Sequence, residues 1–389
     1  MGIVILDLKW SYGIEAITSI LYEQLGKRCE VTVISATESR LPYSVKVAKS
    51  RTYNDMLLAL FNPFVYFRIV REMRRKQPQI AYIVSPHILN VPVCVLFKLF
   101  CNVCVISHVH DPQSHRADGI ASVARNAVAL FQSKYSDRIY CWGNTIGETI
   151  AERFKVPAER IAVFRHGPGQ RTRCDDLAEE DTTQFPPKYF TLIGNLRGRK
   201  GIEIFLEAAR LFNERHGPSA VRFLLAGSGD LEKYRHGIDQ VPNLLVHNRF
   251  MEIAEINEFL AASYASVLPY TGGMLQSSFV AIAYGNGCPV IVSNVGSLPE
   301  EVEAGRTGYV VEQSNAMQTA DAMTAIYYGR RESFVANCLR AYREKFSWDR
   351  IGEEFYWDME RSVAEQNPAR LARKSNSHAD MAKVKGVDR

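Results

Sequence analysis

The chain has 389 residues, 47% of them apolar and 23% charged. At roughly 150 residues per domain that length suggests two or three domains, and the composition excludes a mostly disordered chain, a collagen and a small disulfide-stapled scaffold. The net charge of +5 is unevenly spread: residues 1–170 carry 21 Lys/Arg against 13 Asp/Glu, residues 171–366 carry 20 against 27, and residues 367–389 carry 6 against 2. A basic first half beside an acidic second half points to two domains with different surfaces, the first able to meet anionic lipid or nucleic acid.

Short apolar runs alternate with helical patterns, as in parallel α/β sheets. The opening Met1-Gly-Ile-Val-Ile-Leu-Asp lacks the basic start and long apolar run of a signal peptide and reads as a first strand. In the first half, strands are expected at 3–8, 31–35, 80–84, 103–108, 138–142 and 161–164, with helices at 13–25 and 144–154. The apolar stretch 88–107 is broken by Asn90, Pro92, Lys98 and Asn102, so it reads as a buried helix and strand rather than a membrane span. Residues 166–187 are polar and Gly/Pro-rich, as an inter-domain linker should be. Strands then resume at 189–193, 221–226, 243–246, 265–268, 290–293 and 308–311, with helices at 201–214, 254–262, 275–284 and 316–327. A last helix at 348–364 precedes a basic tail that lacks periodicity and is expected to be disordered.

This organisation gives an N-terminal Rossmann-like domain (1–168), a linker (169–187), a second such domain (188–345), a C-terminal helix (346–366) and the tail (367–389). Two doubly wound domains facing a cleft would bind ligands at the C-terminal ends of their strands. Among the eight cysteines, Cys94, Cys101, Cys104, Cys141 and Cys288 sit in apolar surroundings and read as reduced, buried thiols of a cytoplasmic protein. Cys101 and Cys104 form a lone C-x-x-C, which does not make a zinc site.

Four segments of the second half carry chemistry. Ile193-Gly194-Asn195-Leu196-Arg197-Gly198-Arg199-Lys200-Gly201 is a strand, a basic Gly-bearing loop and a helix start. Free N–H groups and the dipole at a helix N-terminus attract anions, and three cations in four residues add to this, so a diphosphate is the natural guest. Leu225-Ala226-Gly227-Ser228-Gly229-Asp230 is another strand and Gly-rich turn, common by itself in α/β folds. The run from Val267 to Ser278 offers small hydroxyls and backbone N–H groups after a strand, then leads to Gly287-Cys288-Pro289-Val290-Ile291. Gly296-Ser297-Leu298-Pro299-Glu300-Glu301 and Gly305-Arg306-Thr307-Gly308 complete the set.

The order of these pieces over about 189–327 resembles the nucleotide-sugar half of family-4 glycosyltransferases of the GT-B fold. The family pattern runs G-R-L-x-x-x-K-G, G-x-G, a loop with E-x7-E, G-x-P-V-I, G-x-x-E and G-x-T-G. The first half matches more loosely, through a Gly-bearing first turn at Gly13, a strand ending in His110-Asp111, and His166-Gly167 at the hinge, which reads as structural. Two departures stand out. Asn195 replaces the family's Arg, although Lys200 stands at its Lys and Arg197 or Arg199 could supply charge. Met274 and Ile282 replace both glutamates, while Gln276-Ser277-Ser278 resembles a Q-S-G variant of the loop.

The resemblance implies a retaining, metal-independent, hexosyltransferase-like enzyme using UDP- or GDP-sugar, with no further cofactor, and a glycan or lipid-linked acceptor, as in cell-surface polysaccharide biosynthesis. It implies His110, Asp111 and Lys200 as catalytic, and Gly13, Asn195, Arg197, Arg199, Lys200, Gly227, Arg249, Met274, Gln276, Ser277, Ser278 and Glu300 as donor-binding, with Glu300 near the donor or at a helix start. The alternative is a degenerate, noncatalytic subunit that scaffolds a partner enzyme. Nucleic-acid binding finds no recognised module in the basic half. Residues 62–76, apolar on one side and ending in Arg74-Arg75-Lys76, suggest peripheral contact with the inner face of the plasma membrane, driven by the cluster Arg68, Arg71, Arg74, Arg75 and Lys76.

Overall fold

β-branched and apolar runs of four to seven residues, each followed by a helical pattern, fold here as parallel strands joined by helices. The computed structural model describes residues 1–8, 12–42, 44–49, 52–110, 112, 120–175, 186–272 and 276–366. Trp10, Asp111, Met274, most of the expected linker and the basic tail lie outside them. The described chain runs β1 (Gly2–Asp7), α1 (Tyr12–Gly26), β2 (Glu30–Ala36), β3 (Val45–Ala48), α2 (Tyr53–Phe61), α3 (Pro63–Lys76), β4 (Ile80–Ile83), α4 (Asn90–Phe100), β5 (Cys104–His108), α5 (Ile120–Tyr135), β6 (Arg138–Trp142), α6 (Asn144–Phe154) and β7 (Ile161–Phe164). It continues with β8 (Tyr189–Ile193), α7 (Ile202–His216), β9 (Arg222–Ala226), α8 (Arg235–Asp239), β10 (Leu244–His247), α9 (Ile253–Ala261), β11 (Ser263–Leu268), α10 (Phe279–Tyr284), β12 (Val290–Ser293), β13 (Gly308–Val311), α11 (Ala316–Tyr327), α12 (Arg331–Ala341) and α13 (Trp348–Gln366).

The chain divides into two compact units. One comprises Met1–Cys141, Gly147–Phe164 and Gly352–Arg389; the other comprises Trp142–Ile146 and Arg165–Ile351. The first holds a seven-stranded sheet in the order β3-β2-β1-β4-β5-β6-β7. The second holds a six-stranded sheet in the order β10-β9-β8-β11-β12-β13, all of whose neighbouring pairs are parallel. These are the two α/β domains expected from the alternation.

Parallel sheets bury both faces, so their strands alternate between two apolar layers. In the second unit, Phe190, Leu192, Phe223 and Leu225 face the layer built with Phe205 and Phe212 of α7, while Ile193, Leu224 and Ala226 face the layer built with α10. In the first unit, Val4, Leu6, Ile34, Ala81, Ile83 and Val105 pack against Val65, Ile69 and Met73 of α3 and against Val93 and Phe97 of α4. Tyr82 and Tyr140, together with Phe164, surround Phe355 of α13 at ring distances of 4.3–5.9 Å. Arg138 donates to both carboxylate oxygens of Asp358 nearby.

Three expectations are corrected. The edge strand β3 was missed because it is only four residues long and contains Lys46. The helix expected at 275–284 begins at Phe279, because the Ser277 hydroxyl takes the Phe279 N–H (3.3 Å) and turns the chain first. Cys101 is only half-buried, whereas Cys94, Cys104, Cys141 and Cys288 are buried. Burial pushes the Cys94, Cys104 and Cys288 thiols up to about 12, as inert core thiols require. The stretch 88–107 is a helix and a strand, as read, and no described helix is long and apolar enough to cross a membrane.

Gly201 caps α7 with φ +66°, and a Cβ there would lie 1.8 Å from the Pro269 carbonyl oxygen. Gly201→Ala should therefore destabilise the fold by about 1–3 kcal/mol, read as a lower denaturant midpoint with unchanged slope.

Candidate active site

In the second unit the ends of β8, β9 and β11 meet through glycines. Gly194 and Gly227 both hold φ +136°. The Gly194 N–H donates to Ala226 O and the Gly227 N–H to His247 O, both at 2.9 Å. A Cβ on Gly227 would fall 1.7 Å from the Gly194 carbonyl oxygen, and one on Gly229 would fall 2.1 Å from that of Leu196. Only a bare Cα permits this approach. The 195–200 loop is tied down by Leu196 N–H to Ser228 O and by Thr271 N–H to Arg199 O. It then enters α7, whose first-turn N–H groups have no partner within the helix.

Lys200 stands at that entry. Its Nζ donates to the Tyr270 hydroxyl at 2.6 Å and lies 3.9 Å from the centre of the Tyr270 ring. The Tyr270 hydroxyl is also 3.3 Å from Ser277 Oγ. Lys200, Tyr270 and Ser277, from three separate segments, thus form one polar junction beside a helix N-terminus. Tyr270 was missed as a site residue; its only signal was an aromatic just past the strand end, after Pro269. Gln276 adds a half-buried side chain whose Oε1 is buried and makes no hydrogen bond among the described residues, a costly state for an acceptor that a ligand donor would relieve. Ser278 starts α10 without a side-chain cap bond. Ile282 is buried among the apolar side chains of α10.

The remaining donor candidates scatter. Asn195 and Arg197 are exposed on the loop and Arg199 is half-buried. Arg249, after β10, pairs with Glu255 (2.9 Å) and donates to Phe250 O. The Arg249 hydrogen bond and the Glu252 amide hold the Glu255 carboxyl down to about 2. Glu300 takes the helix-start alternative: its carboxylate accepts from the amides of Asn144 (2.7 Å) and Thr145 (2.8 Å) and from the Thr145 hydroxyl, closing the start of α6. Burial acts to raise the Glu300 carboxyl, but these bonds and the Arg165 charge outweigh it and hold it below the usual range. Its neighbour Glu301 is the reverse case. Burial pushes that carboxyl up to about 8, Arg165 opposes and Glu300 adds to the rise, and Oε2 makes no hydrogen bond.

In the first unit, β5 ends at the buried His108, whose Nδ1 lies 2.8 Å from the Tyr82 hydroxyl. His110 stacks on His108 at 4.5 Å and 20°. Its Nε2 lies 2.8 Å from Val84 O, and since a carbonyl can only accept, that nitrogen carries the proton. The helix start at Gly13 is exposed, and a Cβ there would meet nothing within 4 Å. No packing constraint of the fold requires glycine at that position. His166 bonds Gly167 O and packs on Trp142, while a Cβ on Gly167 would strike the Trp348 ring at 2.6 Å, which fits their reading as structural. Among the described residues, no three His, Cys, Asp or Glu are grouped to hold a metal ion.

The glycine-bounded loop junction and the strand-end histidine lie in the segments where comparison with known proteins is informative. Residues 187–328 match the model of glycosyl transferases group 1, and residues 12–167 match that of glycosyltransferase family 4. The chain belongs to the family-4-like glycosyltransferases of the GT-B fold. An uncharacterized glycosyltransferase of Methanocaldococcus jannaschii is 26% identical over 274 residues, 66% of this chain and 69% of that one. Among solved structures, Anabaena Alr3699/HepE in complex with UDP is similar with a TM-score of 0.72 at 14% identity, over 92% of this chain and 100% of that one. The lipopolysaccharide outer core galactosyltransferase WaaB in its apo form is similar with a TM-score of 0.65 at 13% identity, over 94% and 100%. The group 1 match covers the Lys200–Tyr270–Ser277 junction, and the family-4 match covers Gly13 and His110.

The two neighbouring glutamates of this glycosyltransferase should respond oppositely to pH. Glu300 is depressed in the folded state, so its contribution is complete at neutral pH and is lost as pH falls below about 5. Glu300→Gln should cost about 1–2 kcal/mol at pH 7. Glu301 keeps its proton when folded, while an unfolded glutamate loses it near 4.3, so stability falls as pH rises from about 5 to 8. Glu301→Gln should match wild type at pH 4 and exceed it at pH 8 by on the order of 3 kcal/mol, measured by urea unfolding across that range.

Proposed function

We propose that this glycosyltransferase moves a hexosyl residue from a UDP- or GDP-sugar to a glycan or lipid-linked acceptor of a cell-surface polysaccharide, with retention of anomeric configuration and without a metal ion. The observation that carries the reading is the Lys200–Tyr270–Ser277 junction at the start of α7. Cleavage of the bond between the sugar C1 and the diphosphate leaves the electron pair on phosphate oxygen, and the acceptor hydroxyl bonds to C1 as its proton passes to that departing oxygen. That negative charge is what the site must stabilise. Lys200 has three N–H donors and gives one to Tyr270, leaving two for phosphate oxygens. The first-turn amides of α7 add further donors on a rigid element, and fixed donors need no reorganisation as the charge develops. Ser277, Ser278 and the unpartnered Gln276 Oε1 suit polar groups elsewhere on the donor.

His110 is the catalytic candidate of the first unit, followed in the chain by Asp111. The Nε2 contact with Val84 O and stacking on His108 support a fixed ring; contact with the transferred sugar is its proposed role. The enzyme is proposed to act peripherally at the inner face of the plasma membrane. A noncatalytic scaffold is the competing reading, favoured by Ile282 at the position of a motif glutamate.

Lys200→Ala should lower turnover at least tenfold, the equivalent of losing a charge-assisted hydrogen bond worth about 1.5–3 kcal/mol, with an unchanged melting temperature. Unchanged turnover and nucleotide affinity would remove Lys200 from the phosphate site. His110→Ala should cut turnover while leaving the thermal shift by nucleoside diphosphate near wild type. A screen of UDP, GDP, ADP and their sugars identifies the donor by the rise in melting temperature. If none raises it and no nucleotide sugar is hydrolysed, the scaffold reading replaces the enzyme.

A further inference from the structure

Residues 52–76 of the first unit fold as two helices around a one-residue elbow. Asn62 ends α2 and caps α3, its side chain accepting the Phe64 N–H at 3.0 Å. Tyr66 donates to Leu60 O across the elbow at 2.9 Å. α3 buries Val65, Ile69 and Met73, and this inward stripe turns the opposite face outward. The outward side chains on both sides of the elbow are large and apolar: Leu58 is 74% exposed, Phe61 80%, Phe64 74% and Phe67 64%. Four such side chains spaced by three along consecutive helices are far more than the scattered exposed apolar residue of an ordinary surface.

The same face of α3 continues into exposed Arg68, Arg71, Arg74 and Arg75. The single acidic residue of α3, Glu72, is buried. Arg75 pairs with Glu72 at 2.7 Å, Arg71 lies 3.8 Å from the same carboxylate and Lys76 pairs with Glu30 at 2.9 Å, so part of the expected cationic cluster is already neutralised. A second copy docked on this face would present the same basic residues and no exposed carboxylate of α3 to complement them. An anionic lipid surface offers apolar depth for the ridge and negative headgroups for its basic end.

We infer that Leu58, Phe61, Phe64 and Phe67 insert into the interfacial layer of an anionic bilayer, with Arg71 and Arg74 against the headgroups. This rests on the membrane reading given above and deepens it: the anchor is the apolar ridge, and charge serves to orient it. Binding should therefore survive salt that screens the arginines, unlike purely electrostatic attachment.

The test is co-sedimentation of the full chain with phosphatidylglycerol–phosphatidylcholine vesicles at low and high salt, alongside donor hydrolysis and sedimentation velocity without lipid. Wild type should bind at both salt levels. Phe61→Ser with Phe64→Ser should weaken binding by about tenfold or more and leave hydrolysis unchanged, since both side chains are exposed. Arg71→Glu with Arg74→Glu should weaken it at low salt only. If wild type ignores all vesicles, the membrane reading falls together with the ridge. If it binds but the double serine variant binds equally well, the insertion fails and the membrane reading survives on charge. A wild-type dimer that the serine variant dissolves, with no vesicle binding, would assign the ridge to a second copy and overturn the proposal.

Discussion

The architecture of the second unit depends on how closely backbones approach one another at the ends of parallel strands. Gly227 rests on the Gly194 carbonyl, Gly229 on that of Leu196, and Gly201 on that of Pro269, each where a Cβ would come within about 2.1 Å of an oxygen. Side chains of ordinary size would hold these turns apart. With glycines the turns nest, and the loop after β8 is pinned against the turn after β9 and the segment after β11. The start of α7 then opens at a defined place, and Lys200 reaches Tyr270 at 2.6 Å. The polar junction is a consequence of this backbone packing more than of any one charged residue.

That packing bears on the missing motif glutamates. Val280 to Tyr284 of α10 are all buried, so a carboxylate in place of Ile282 would need partners to offset its desolvation. An apolar residue there settles the helix into the core and leaves the polar groups of this segment to the preceding turn. Gln276 Oε1, Ser277 Oγ and the Tyr270 hydroxyl supply that polarity. Glu300 keeps its family position and has a structural task, since its carboxylate closes the start of α6 with three hydrogen bonds.

In the first unit the division of α3 into a buried stripe and an exposed ridge follows from helical periodicity. Val65, Ile69 and Met73 recur every four residues and meet the sheet. Phe64 and Phe67 fall between them and cannot reach it. Among the described residues this apolar surface stays exposed, and it lies next to unburied arginines.

Much of this was legible in the sequence, for a physical reason. Apolar runs of fixed length followed by helical periodicity specify parallel α/β units locally, so β8, β12, β13, α6 and α11 appear at the residues expected. The strand–Gly–helix signatures placed Gly194 and Gly227 at strand ends and Lys200 and Gly201 at a helix start, because glycine and helix-start preferences act over a few residues. What the sequence could not decide depends on contacts between distant segments. Tyr270 joins the site only because β11 lies beside β8 and brings it under Lys200. Glu300 became a helix cap because Asn144 and Thr145, some 155 positions away, lie against it. Arg249 found Glu255, the arginines of α3 were partly claimed by Glu72, and the phenylalanines of α3 were left outward because Val65 and Ile69 took the core. Pattern and propensity are short-range; the partner of a polar or apolar side chain is chosen by the tertiary structure.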